Sequence, residues 1–419
     1  MNTPTRRFLK KAFWGYYRHN AIQLPPRFGR REWAFVFWDK DFMKRHTAFR
    51  KQQELENYLL GGIPRHLYHS SSYYRDPANR SMKDKDWLGA DLVFDLDADH
   101  LRDVEGLNFP QLLARVKEEF WKLLDFLTED FGIPEDQQLL VFSGGRGYHL
   151  HVHDPRALGL GSDERREIVD YITGKGLDPE LFIKEVPYKR TERGPYPDKI
   201  DRIRVLRKDY GWQKRVFEGI LELVSVAESK GDMKARVKYL SSHKGLGKKR
   251  AQTVATRLFT GEEGSRGVDL LREGKIDFFN DKQTLTSFLK VGFNFALEHG
   301  RGETDEPVTG DIHRLIRTPG SLHGKSGLRV TPFKTREELD DFEPLVDAVV
   351  FSNEPTQVLA KRTASLFMKG EEYRITQGEM IELPEAAAIF SLGVGLTEIP
   401  DPVPDSGLAK APGSSTSTE

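Results

Sequence analysis

The sequence predicts an α+β fold built on a mixed sheet, with a largely helical insertion, and three observations carry that prediction. Short segments at residues 31–38, 91–97, 138–142 and 148–154 alternate apolar and polar residues with the period of a strand. Residues 110–131 and much of 160–300 carry helical spacing instead. The two textures do not alternate in regular strand–helix–strand units, so a doubly wound parallel sheet is not expected. Residues 1–160 and 300–397 are assigned to one catalytic α/β unit, 161–299 to a mainly helical subdomain, and 398–419 to a disordered tail.

Taken in order, Arg6-Arg7-Phe8-Leu9-Lys10-Lys11-Ala12-Phe13 is basic and aromatic, lacks the long apolar core of a signal peptide, and is expected as a surface helix. From Arg31 to Trp38, Trp33, Phe35 and Phe37 share one side of a strand. Leu92-Val93-Phe94-Asp95-Leu96-Asp97 is the most telling strand. Leu92, Phe94 and Leu96 face one way, and Asp95 and Asp97 share the other face, roughly 6.5–7 Å apart. Two carboxylates held that close repel unless a cation lies between them, and hard divalent ions favour such ligands. The plain alternative is that acidic residues at a strand end begin a turn. Asp99, just past the end of the alternation, is read as a turn former.

Pro110 opens the next helix, its apolar face runs Leu113, Val116, Phe120, Leu123, Leu124 and Leu127, and Gly132 follows it. Gln138–Phe142 and Tyr148–Asp154 flank Ser143-Gly144-Gly145-Arg146-Gly147, a pattern for a glycine-rich hairpin. Glycines let a backbone approach a ligand closely, and Arg146 offers a planar fork suited to phosphate. His149, His151 and His153 share one face of the second strand. Zinc is the weakest reading of the three, phosphate suits His149, and a solvated face is expected for His151 and His153. Helical spacing returns at 216–226 and 284–297, and Gly245-Leu246-Gly247-Lys248-Lys249-Arg250-Ala251 resembles the turn of a helix-hairpin-helix, though a helix cap before a basic helix explains it equally well. Asp305-Glu306-Pro307-Val308 precedes a basic run from Arg314 to Arg317 and a turn carrying His323 and Lys325. Residues 400–419, rich in Pro, Ser, Gly and Thr, read as disordered.

Composition narrows the function classes. The 419 residues carry 64 basic and 64 acidic side chains, so any contact with nucleic acid must come from local patches. There is no cysteine, which rules out disulfides, thiolate zinc sites and iron–sulfur clusters and fits a reducing, cytoplasmic setting. Mean hydropathy is −0.56 and no run of about 18 apolar residues exists, so no membrane span is expected.

Together these motifs resemble the catalytic small subunit of archaeal and eukaryotic DNA primase, most like the archaeal form, over residues 30–395. Asp95-Leu96-Asp97 resembles that family's paired metal-binding aspartates, and Ser143 to His149 its nucleotide-binding turn. Asp305-Glu306-Pro307-Val308 resembles the segment with the third catalytic aspartate, for which Asp305 is preferred to Asp311. Arg314 to Arg317 and Ser321 to His323 resemble its triphosphate-binding run, and Arg31-Glu32 and Arg45 look like further positions near the nucleotide. The resemblance implies the primase (prim) catalytic fold and a nucleotidyltransferase, a DNA-directed RNA polymerase of the replicative primosome making short RNA, or DNA, primers on single-stranded DNA. It implies Mg²⁺ or Mn²⁺ held by Asp95, Asp97 and Asp305. Nucleoside triphosphate contacts would come from Ser143, Arg146, His149, Arg317 and His323. It also implies a heterodimer with a primase large subunit, for which the apolar, aromatic face near Leu206–Trp212 and the helical unit are candidate surfaces. Family members commonly carry a Cys/His zinc module near the paired aspartates. Here residues 100–112 pass straight into the helix, so no structural zinc is expected.

Three other functions compete. A haloacid-dehalogenase-type phosphatase also ends a strand in Asp-x-Asp, but it leaves Ser143 and Asp305 unexplained. A repair polymerase of the same superfamily uses the same motifs, but the helical insertion and the lack of a fused ligase or helicase favour a replicative primase. A non-catalytic nucleic-acid-binding subunit would not need all three acids.

Overall fold

A computed structural model describes residues 1–40, 42–101, 104–193, 196–279 and 281–401. Two four-stranded sheets form its centre. One runs in the order Leu315–Arg317, His66–Ser70, Trp33–Val36, Met43–Thr47; the other runs Thr331–Phe333, Gln138–Phe142, Gly147–Val152, Leu92–Asp97. Every strand pair among the described residues is antiparallel, where a mixed sheet was expected. The α+β class stands.

The aspartate strand shows why these residues fold as they do. Leu92, Phe94 and Leu96 are buried, and so are Tyr148, Leu150 and Val152 beside them. This face is covered by the helix Phe109–Asp125, whose Leu113, Val116, Phe120, Leu123 and Leu124 are all buried. Asn108 caps that helix and Gln111 bonds back to it, closing a capping box, with Pro110 in the first turn. The helix ends in a wide turn at Phe126–Asp130.

The opposite face of the same sheet turns toward the first sheet. His151 is 2% exposed and its ring centroid lies 5.9 Å from that of His69 on the facing strand. His153 Nδ1 lies 3.2 Å from Asp91 Oδ2. The solvated face expected for His151 and His153 is therefore corrected: a second sheet, contributed by distant segments, closes over it. Asp91, at the head of the aspartate strand, is pinned from two sides. Arg31 gives it a 2.5 Å ion pair and spends its remaining donors on Pro26 O, Ser70 O, Ser71 O and Tyr73 Oη. Arg165 donates to Asp91 O and Ala90 O at 2.8 Å each.

Residues between the two arms of the catalytic unit are not purely helical. A long hairpin pairs Ile183–Arg193 with Tyr196–Leu206, a strand pair that the mainly helical reading of 161–299 did not mark. The helices Gly211–Ser229 and Lys282–Gly300 cross closely, because a Cβ on Gly219 would lie 2.4 Å from Ala296 Cβ and one on Gly292 would lie 2.7 Å from Ile220. Leu206 and Trp212 are 3% and 4% exposed and belong to the core, whereas Tyr210 between them is 74% exposed, so only the middle of the stretch read as a partner surface faces outward. At the other end, Thr397–Glu398 pairs with Pro355–Ala360, and Ile399 N donates to Thr5 Oγ1 at 2.8 Å. The chain thus stays joined to the fold past residue 398, and residues 402–419 of the expected tail lie outside the described residues. The N-terminal helix Thr3–His19 buries Leu9, Phe13, Tyr16 and Tyr17 beneath its basic outer side. No described helix is long and apolar enough to cross a membrane.

Candidate active site

A cleft of about 810 Å³ opens between the two sheets. Asp95 and Asp97 reach it from the aspartate strand, with side chains 22% and 36% exposed while Phe94 and Leu96 are buried. Asp95 stands opposite His149 in the strand register, and Asp97 opposite Gly147. His149 Nε2 lies 3.6 Å from Asp95 Oδ1. Asp97 also accepts the Asp99 backbone N–H at 3.1 Å and so ends the strand in a tight turn, the role read for Asp99 as well. The Asp99 carboxylate pairs with Arg146.

The glycine turn fits its place by exclusion of side chains. A Cβ on Gly147 would sit 2.1 Å from Leu96 O, so only glycine lets this strand lie against the aspartate strand at Asp97. Gly144 has φ +74°, and its Cβ would meet His323 Cβ at 2.8 Å. Ser143 Oγ accepts the Gly145 N–H at 3.2 Å, which leaves the turn with its backbone folded inward beneath Arg146.

The far wall comes from the first sheet and the turn after it. Arg317 Nη1 donates to His66 Nδ1 at 2.6 Å and its guanidinium lies 5.2 Å from the Tyr68 ring centroid. Gly324 N–H donates to the same His66 nitrogen at 3.2 Å, so the proton of the neutral ring sits on Nε2. His323 Nδ1 lies 3.1 Å from Ser326 Oγ, and Ser326 in turn donates to Gly144 O, tying the two phosphate-type turns together. Burial is the main cause that pushes His149 down to about 3 and His66 to about 2, helped by the Arg317 charge in both cases. Burial, Arg317, His66 and Lys325 hold His323 well below its usual range. The three imidazoles are therefore neutral N–H donors, and the positive charge on the cleft comes from Arg146, Arg317 and Lys325.

Asp95, Asp97, Ser143, Arg146, His149, Arg317 and His323 all line this one cleft. Asp305 is not among the residues that line the cleft, but it adjoins the aspartate strand through the backbone: its N–H donates to Asp95 O at 3.1 Å, which sets the start of the helix Glu306–Gly310 beside that strand. Asp311 instead caps its own turn, accepting the His313 N–H at 2.8 Å. Arg31 is corrected as a nucleotide contact: it is fully buried and all its donors are used within the protein. Glu32 and Arg45 pair with each other at 3.1 Å, with Lys85 on the other side of Glu32 at 2.9 Å. His66, Tyr68 and Ser326 are cleft residues that no sequence motif marked. The only local signal was the alternation His66-Leu67-Tyr68-His69 around a buried Leu67.

Among the described residues, no three His, Asp or Glu side chains are gathered tightly enough to enclose an ion as they stand. The donors nonetheless suit a hard divalent ion: carboxylate oxygens on one strand face, partly exposed, open to a cleft whose other wall is basic.

The family model of the DNA primase small subunit matches residues 94–335, a span from Phe94 beside the first aspartate to past the His323 turn. The chain belongs to the DNA primase small subunit family. A DNA primase small subunit PriS of Methanothrix thermoacetophila is 41% identical over 414 residues, covering 95% of this chain and 100% of that protein. Its counterpart in Methanosarcina barkeri is 39% identical over 95% of this chain and 97% of its own length. That of Methanocella arvoryzae is 40% identical over 93% and 97%. The matched residues 94–335 carry both aspartates, the glycine turn and the basic run, while His66 and Tyr68 of the same cleft lie outside that span.

Proposed function

We propose that this chain is the catalytic subunit of a DNA primase, joining nucleotides on a single-stranded DNA template by metal-assisted nucleotidyl transfer. One observation carries this reading: a carboxylate pair, a glycine turn with an arginine, and a basic run, far apart in sequence, meet in one cleft of a primase-family chain. Asp95, Asp97 and Asp305 are the ligands for Mg²⁺ or Mn²⁺. When bound, such ions supply Lewis-acid polarisation at the α-phosphate and favour the ionised 3′-hydroxyl.

The chain's own groups do the rest. Arg317, held by His66 and stacked by Tyr68, presents its remaining donors to the triphosphate and offsets charge on the departing pyrophosphate. Arg146 does the same from the opposite wall, leaving its partner Asp99 when phosphate arrives. Neutral His149 and His323 each donate one N–H to phosphate oxygen. Ser143 and the glycine turn let the backbone come close to the nucleotide. The carboxylates serve as metal ligands rather than as a proton-transferring pair, and the products are RNA, or DNA, primers made from nucleoside triphosphates. A primase large subunit is the expected partner, since the relatives are named as small subunits.

The test is primer synthesis on single-stranded DNA with no supplied 3′ end, with and without Mg²⁺ or Mn²⁺. Metal-dependent products starting from two nucleotides support the reading. Extension only of a supplied 3′ end would make the chain a repair-type polymerase, and phosphate release from a monoester without incorporation would make it a phosphatase.

A further inference from the structure

A second cavity, of about 460 Å³, lies behind the catalytic cleft, on the other face of the strand Gly147–Val152. Its floor is apolar: Leu113, Phe342 and Met368 line it and are at most 7% exposed. Tyr148 lines it too and is 0% exposed, yet its hydroxyl has no hydrogen-bond partner in the protein. The rings of Phe120 and Phe142 flank it, with centroids 5.4 and 5.6 Å away, so the cavity is the side from which a polar group can reach the oxygen. A buried hydroxyl with no partner destabilises a fold, and phenylalanine would fill the same space without that loss. The polar group that would satisfy Tyr148 is one the chain itself does not supply.

The mouth of this cavity is acidic. Residues 337–347 carry Glu337, Glu338, Asp340, Asp341, Glu343 and Asp347 and no base. Among the described residues this stretch makes one ion pair, Lys117–Asp340 at 4.0 Å. Asp340 and Glu343 line the cavity, and Asp341 acts with them on the Lys117 ammonium. Glu371 stands opposite Met368 in the hairpin of residues 364–375 and is exposed. Apolar surface also continues outward from the cavity, where Val346 is 39% exposed and Pro110 and Ala114 are exposed. The volume falls within the range of about 300–1,000 Å³ usual for ligand pockets. A small metabolite could fill the hole but would leave the surrounding carboxylates and the outer apolar rim unused. A chain segment with a bulky anchor between basic residues uses all three.

We propose that this cavity is a docking site for a basic segment of a partner protein. A tryptophan-type anchor fills the hole and hydrogen-bonds Tyr148 Oη, while flanking lysines and arginines pair with Asp341, Glu343 and Glu371. Tyr148 and His149 are neighbours on one strand and face opposite ways, so the partner segment and the contents of the catalytic cleft occupy two faces of the same sheet and do not compete. The proposal stands apart from the catalytic reading, since it uses no residue of the cleft.

The test is fluorescence anisotropy of the full chain with a fluorescein-labelled Lys-Arg-Trp-Lys-Arg peptide, at several salt concentrations, without nucleotide, metal or DNA. The same peptide with glycine in place of tryptophan should bind at least about tenfold more weakly. Ala114→Trp, on the exposed side of its helix, should fill the cavity and weaken binding by a similar factor. Tyr148→Phe should weaken it by about three- to tenfold and melt no lower than wild type, because it removes a hydroxyl the fold does not satisfy. Salt should weaken binding less in Asp341→Asn/Glu343→Gln/Glu371→Gln than in wild type. Equal binding of the tryptophan and glycine peptides, or unchanged binding in folded Ala114→Trp, would overturn the proposal. So would tryptophanamide alone binding as tightly as the whole peptide, which would make the cavity a small-molecule site instead. A clear fall in the melting point of Tyr148→Phe would show that the fold itself uses the hydroxyl and would remove the ground for a partner there.

Discussion

Gly147→Ala isolates the strand contact that sets the carboxylates against the phosphate turn. The added Cβ would lie 2.1 Å from Leu96 O, whereas ordinary contact begins at 3.4 Å. The two strands must therefore part by about 1.3 Å, taking 3.4 minus 2.1. Overpacking of this kind costs about 1–3 kcal/mol, which a chain with two large sheets can absorb. Catalysis is less forgiving, because a misplacement of about 1 Å at reacting groups can cost on the order of a hundredfold. Gly147 stands opposite Asp97 and two residues before His149, which faces Asp95, so the carboxylates and the histidine strand move relative to each other. Steady-state incorporation kinetics beside thermal melting separate the effects. The expected outcome is a fall in kcat/KM of about a hundredfold with a melting point only a few degrees lower. Activity within twofold of wild type would show that this strand contact does not position the site.

The fold around the site yields further outcomes. Arg31→Met strands Asp91 as an uncompensated buried carboxylate and should cost about 3–5 kcal/mol by denaturant unfolding, most of it regained in Arg31→Met/Asp91→Leu. Burial alone would raise the Asp91 carboxyl, but Arg31 and His153 outweigh it and hold it well below the usual range. Its contribution is therefore present above pH ~4 and lost as pH falls further, so the double variant should show a flatter acid limb in the pH dependence of unfolding. His66, pushed down to about 2, is neutral when folded and protonates below about 6.5 when unfolded. Stability should fall as pH drops from about 6.5, and His66→Asn should remove roughly 1.4 kcal/mol per pH unit of that slope.

Local pattern carried the strands and helices whose partners are close by. The alternation of Leu92 to Asp97 and the hairpin around Ser143–Gly147 lie within about sixty residues of each other and pair as read. The Pro110 start, the apolar spacing from Leu113 to Leu127 and the following Gly132 marked the covering helix in the same way. What sequence could not show depends on long-range closure. His151 reads as solvated until a sheet built from residues 33–36, 43–47, 66–70 and 315–317 covers it. Arg31 looks like a position near the nucleotide until Asp91, sixty residues on, claims it. His66 and Tyr68 enter the cleft only because their strand pairs with Leu315–Arg317, some 250 residues away. The long hairpin Ile183–Leu206 was hidden by dense charge along both strands, which masks the apolar alternation that marks a buried strand.

The most direct test of the central claim compares wild type with Asp97→Ala for primer synthesis on single-stranded DNA in Mg²⁺ or Mn²⁺, with melting measured on the same samples. Asp97 is 36% exposed at the strand's end and shares a face with Asp95, so its removal should leave the fold as stable as before or more so. Synthesis lost by at least a hundredfold with an unchanged or raised melting point is the predicted result. Retained synthesis, or a loss that merely follows unfolding, would contradict the assignment of this strand as the metal-holding centre.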